Sequence, residues 1–205
     1  MKNRIISLFL VFIFIFNLSA GVFAKEAVDN KNNIENKITK LLEKNIITGY
    51  PDKSLGLNRN ITRAEILKTI VASLGFLEES NKLKGKNKPF VDVDENHWAN
   101  GIIAWAKNSS LKNGIGIIHG YPDGTFKPEN NITVAELITI LALAAKDDVN
   151  LEDIKNANYP DTYINCATEL KIIGPESGIK NINLDEKATR KLSFEMVYNF
   201  MQSKI

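Results

Sequence analysis

Arg63 and Arg190 carry the clearest chemical signal in this 205-residue chain. Each follows a threonine, Thr62 or Thr189, that stands where a helix should start. A guanidinium there presents a planar fork that matches a carboxylate, and the positive end of the helix dipole adds to the pull on an anion. With no anion to hold, the same arginine is a surface charge that the dipole disfavours by about 0.3–1 kcal/mol. At the corresponding place after Thr133 the chain has Val134, which can do neither.

Other reactive groupings are thin. Cys166 is the single cysteine, so no internal disulfide can form, and neither His97 nor His119 is near it in sequence. It is expected to be buried filler. The run DVDENH (92–97) lacks the spacing and the glycine of a calcium loop. Asn60-Ile61-Thr62 and Asn131-Ile132-Thr133 match a glycosylation acceptor, but each reads better as the approach to a helix cap. No Gly-rich phosphate loop, metal-ligand cluster or nucleophile with a plausible base stands out. The expectation is a protein that is not an enzyme, with no cofactor and no metal.

The elements that position these residues come from an internal repeat. TGYPDKSLGLNRNITRAE (48–65) recurs seventy-one residues later as HGYPDGTFKPENNITVAE (119–136). A third, weaker copy aligns Ile172-Ile173-Gly174 with Ile46-Ile47 and Gly49, and Thr189-Arg190 with Thr62-Arg63. Each copy reads as helix, loop, helix. Ile34, Ile38, Leu41 and Leu42 form the stripe of one first helix. Thr62 with Glu65, and Thr133 with Glu136, form the S/T-x-x-E capping box of the second helices. Ile66, Leu67, Ile70, Val71 and Leu74 supply the first copy's buried face, and Leu137, Ile138, Leu141, Ala142 and Ala145 the second's. In the third copy Leu192 replaces the box glutamate, while Phe194, Val197, Tyr198 and Met201 keep a buried face. No copy can cover its stripes alone, so the three should share a core.

Lys2 and Arg4, the apolar run Ile5–Phe16 and Val22-Phe23-Ala24 read as a secretory leader cut after residue 24. An uncut membrane anchor is the alternative reading. Beyond the leader, 24 basic residues face 24 acidic ones. That balance leaves no basic footprint for nucleic acid.

The segment FVDVDENHWANGIIAWAKNSSLKNGIGIIHGYPDGTFKPENNITVAE (90–136) resembles the S-layer homology domain, whose pattern runs F-x-D-V…H-W-A…G-I-I-x-G-Y-P-D-G-T-F-x-P…I-T-R-A-E. The first copy matches over Ile46–Leu74 and lacks the opening; the third, with YPDTYINCATELKIIG (159–174), matches loosely. The resemblance implies an all-α fold of three helix-loop-helix repeats, pseudo-threefold around a central three-helix bundle, with grooves between neighbouring repeats. It implies that those grooves bind secondary cell-wall polysaccharide carrying a pyruvate ketal, on the surface of a Gram-positive bacterium. Other surface-layer proteins are further partners, and no membrane is expected once the leader is removed. On that pattern the boundaries are leader 1–24, first repeat 25–77, linker 78–89, second repeat 90–146, linker 147–158 and third repeat 159–205.

In such a groove Arg63 is the expected main clamp for the ketal carboxylate and Arg190 a second one, with the second copy contributing only walls. Trp98, Tyr50 and Tyr121 can stack on sugar rings; Trp98 can equally anchor the core, and each tyrosine can pack over its own proline. Asp52 and Asp123 should close the turn through their own backbone, with sugar hydroxyls as secondary contacts. Gly49, Gly120 and Gly124 would admit a ligand close to the backbone, or simply serve turn geometry. Two rival functions stand beside wall binding: a degenerate-repeat structural protein of the cell surface, and a wall-polysaccharide enzyme.

Overall fold

The computed structural model describes residues 33–109, 116–145 and 156–203. The expected leader and most of the second expected linker lie outside them. The described residues are helical, and their only extended pairings are isolated bridges.

Helix α1 covers residues 33–43 and buries Ile38 and Leu41, while Leu42, expected in the same stripe, faces outward at 37 % exposure. Asn45, at φ 54°, ends it in a left-handed turn, and the Ile46 amide donates back to Leu41. That return swings Ile47 into the core. Helix α2 (Arg63–Ser73) starts at the full Thr62–Glu65 capping box and buries Ile66, Leu67, Ile70 and Val71. It stops at Gly75, φ 85°, where the Gly75 and Phe76 amides bond Ala72 and Val71 in a Schellman turn.

Helix α3 (Leu77–Asn81) follows at once, inside what the polar composition suggests is linker. Its Ser80 is fully buried, and it packs on α4 (Asn100–Asn108). The Asn100 side chain accepts from the Gly85 amide at 2.9 Å and donates to the Asn87 carbonyl at 2.9 Å, fastening the lysine-rich stretch. Helix α5 (Val134–Ala145) has the second box, α6 is Asp161–Glu169, and α7 is Arg190–Ser203. Thr189 caps α7 through the Leu192 amide alone, at 3.3 Å, because Leu192 has no carboxylate to return the bond. Cys166 on α6 is half-buried rather than buried. No described helix is long and apolar enough to cross a membrane.

One apolar core, running from Ile38 to Phe200, joins all the copies. Helix α7 packs against both α2 and α5. The residues that precede these three helices close a ring of backbone bonds. Ile61 N–H donates to Ala188 at 3.1 Å, Ala188 N–H to Ile132 at 2.9 Å, and Ile132 N–H to Ile61 at 3.1 Å. All three residues are fully buried.

A second cycle of backbone bonds, running in the opposite sense, follows at the helix starts. Arg63, Val134 and Arg190 donate their amides to Asn130, Glu186 and Arg59, each at 2.9 Å. Ala64, Ala135 and Lys191 do so to Pro128, Leu184 and Leu57. The first-turn amides of a helix have no partner within it, and buried ones must find one. Here each copy supplies carbonyls to the helix start of another.

Candidate functional site

The two arginines turn inward. Arg63 is 5 % exposed and Arg190 6 %. Arg190 donates from Nε to the Leu55 carbonyl at 2.8 Å and from Nη2 to the Thr48 carbonyl at 3.3 Å. Its Nη1 lies 3.6 Å from the Glu65 carboxylate. Its guanidinium sits 4.6 Å from the centre of the Tyr50 ring and 4.9 Å from that of Phe194. Arg63 repeats this set in the second copy. Its Nε donates to Phe126 at 2.8 Å, its Nη1 lies 3.4 Å from Glu136, and Tyr121 and Phe126 are each 4.7 Å away. Tyr121, Phe126 and Glu136 stand seventy-one residues after Tyr50, Leu55 and Glu65. Each arginine therefore reaches from its own helix start into another copy's loop.

This geometry differs from the reading of Arg63 as a surface charge. The first-turn amides are also spent inside the protein, so the backbone of these helix starts has no donors to offer an anion. The box glutamates do double work: Glu65 and Glu136 accept the threonine amides and face the incoming arginines. Burial opposes ionisation of Glu136, but the Thr133 amide, the Tyr121 hydroxyl and Arg63 outweigh it and hold its carboxyl below the usual glutamate value. Tyr121 donates its hydroxyl to Glu136, and burial together with that bond pushes its phenol up to about 12. Each tyrosine ring lies against the arginine of another copy.

The turn residues behave as their types require. Asp52 accepts the Ser54 amide at 2.9 Å and hydroxyl at 2.7 Å, and Asp123 accepts the Thr125 amide at 3.0 Å. The Ser54 and Thr125 hydrogen bonds lower both carboxyls. Gly49 leaves no room for a side chain, since a Cβ would stand 2.9 Å from the Ser54 carbonyl. Gly120 has φ 74°, and a Cβ there would strike the Phe90 ring. Gly124 also takes positive φ, at the outer corner of the loop. Asp92, from the DVDENH run, accepts the Phe126 and Lys127 amides at 2.8 and 2.7 Å and so braces the second loop. Among the described residues no group of three or more His, Cys, Asp or Glu is arranged to hold a metal.

Trp98 is 44 % exposed, so it does not anchor the core; Trp105, 6 % exposed and stacked on Phe76 at 4.8 Å, does. The Trp98 indole donates to Glu129 at 3.3 Å, and His97 lies 2.9 Å from the same carboxylate. Trp98 forms the rim of a cavity of about 300 Å³ between the copies, lined also by Tyr50, Glu65, Lys68, Leu77 and Arg190. Lys68 is half-buried there.

Trp98 has a counterpart in the third copy that sequence reading missed. Tyr159 stands two residues before α6, as Trp98 stands two before α4, and is 56 % exposed. Partial burial and the Glu136 charge push its phenol up, and the Arg63 charge opposes that shift. The matched offset from a helix start was its available signal. Where the third pair would be, Val134 is 2 % exposed, and Leu192 occupies the glutamate position. Arginine and carboxylate are missing together.

Residues 32–67 and 89–138 match the model of the S-layer homology domain. The chain is similar to a surface layer protein of Brevibacillus choshinensis, 29 % identical over 84 % of this chain and 14 % of that one. A cell surface glycoprotein 1 of Acetivibrio thermocellus is 42 % identical over 46 % of this chain and 4 % of its own length. A cellulosome-anchoring protein of the same organism is 33 % identical over 51 % of this chain and 22 % of its own. The chain thus spans less than a quarter of these relatives.

Proposed function

We propose that this protein is a non-catalytic cell-surface module that attaches without covalent bonds to anionic, pyruvylated secondary cell-wall polysaccharide of a Gram-positive envelope. It is exported with loss of residues 1–24. Its three repeats, at the boundaries given above, form a pseudo-threefold unit about the bundle of α2, α5 and α7. The cyclic backbone bonds at the three helix starts support that symmetry. The names of the relatives, surface layer and anchoring proteins, support a place at the cell surface.

The observation that carries the function is the cavity beside Arg190, with a fixed guanidinium inside and an exposed indole at its mouth. A sugar ring stacks on Trp98 while its carboxylate faces the positive interior. Tyr50, Asp52 and Gly49 build one wall. Arg63, Tyr121, Asp123, Gly120 and Gly124, with Tyr159, form a second groove of the same design. The first groove takes the leading role that sequence reasoning assigned to Arg63, because the cavity lies beside Arg190.

The test is a pull-down with purified cell walls, before and after the attached polysaccharide is stripped. Retention by intact walls and loss on stripped walls is the expected result. Both arginines already face internal carboxylates, which favours a second reading: a structural protein that docks on other surface-layer proteins. Equal retention on both wall preparations overturns the sugar-binding reading.

A further inference from the structure

The first groove has a cation of its own that the repeat pattern does not supply. All three kinds of Arg190 nitrogen are engaged, by two carbonyls and the Glu65 carboxylate. Lys68 lines the same cavity just under one helix turn beyond Glu65 in α2, is half-buried, and has no hydrogen bond or ion pair among the described residues. A lysine that lines a cavity without a hydrogen bond or ion pair keeps its charge available to a ligand. A ligand anion in the cavity neutralises that charge. Seventy-one residues later the second copy has Thr139, whose hydroxyl is turned back onto the Ala135 carbonyl at 2.9 Å. That position offers the second groove no cation.

We infer that Lys68 makes the direct ionic contact to the ligand carboxylate in the first groove, and that Arg190 acts there as a positioning residue for Tyr50 and Glu65. This rests on the wall-binding reading above and sharpens it: the two grooves are unequal, and the first alone prefers a charged sugar. The lysine contributes a point charge on a mobile stem, so it tolerates several orientations of the carboxylate. Glu65 faces the same space and repels any anion that bypasses Lys68.

The full mature chain should be titrated with a pyruvate-ketal hexose glycoside and with its ketal-free analogue, alongside the wall pull-down. Lys68→Ala is expected to weaken binding of the ketal sugar about tenfold or more, to leave the analogue unchanged, and to flatten the salt dependence. Lys68→Glu should abolish the preference for the ketal, and Lys68→Arg should keep it. Unchanged melting temperatures separate this from a folding defect. If the parent prefers the ketal sugar and Lys68→Ala prefers it equally, the assignment of Lys68 is overturned while wall binding stands. A parent that ignores intact walls overturns both.

Discussion

At the scale of single residues, the arginines tie copies together before they meet any ligand. Arg63→Ala removes a charge-assisted bond to Phe126 and strands Glu136, which is only 20 % exposed at its side chain. The expected cost is about 2–4 kcal/mol, seen as a lower melting temperature. Exposed placement would have cost almost nothing. Val134→Arg alone should also destabilise, because it thrusts a charge into a site where Leu192 offers no carboxylate. Adding Leu192→Glu should recover part of that loss, and a double-mutant cycle measures the coupling.

Glu136 sets a pH dependence as well. Its folded carboxyl is held below the usual value near 4.5, so its contribution is complete above that value and is lost as pH falls through the lower, folded one. The stability gap between the parent and Glu136→Gln should therefore be widest near neutral pH and close in acid. Melting curves taken from pH 7 down to 3 check this. The sequence shows Arg63 and Glu136 plainly, but their pairing crosses copies. A helix-start position says nothing about which neighbour lies over it.

At the scale of elements, the caps and stripes were legible because they are local. Thr62 and Glu65 are three residues apart, and Ile66, Leu67, Ile70 and Val71 obey the helical period. The third cap's weakness follows from Leu192 alone. Helix α3 was hidden because its polar surface resembles a linker; what fixes it is the packing of buried Ser80 and its neighbours on α4. The Asn100 side chain fastens the stretch that follows, fifteen residues before it in the chain. Asn100→Ala leaves the Gly85 amide and Asn87 carbonyl unanswered. It should expose residues 82–88 to limited proteolysis at a loss of about 1–3 kcal/mol. Cleavage sites read by mass spectrometry test it.

For the molecule as a whole, a shared core and a closed ring of amides predict one cooperative unfolding transition. A fragment covering residues 88–146 keeps the best-preserved copy but loses the partners of Ile132 and Val134, so it should lack a sharp melt. Calorimetry of the fragment and the mature chain decides between shared and independent folding. The ring has a further consequence for the history of such a chain. Its joints are peptide groups, which every residue except proline carries in full. Mutations can erode a copy's side chains, as at Leu192 and Val134, without unfastening that copy from the others. Ligand-facing residues and architecture can thus diverge at different rates, and a copy that no longer grips anything still earns its retention by holding the other two in place.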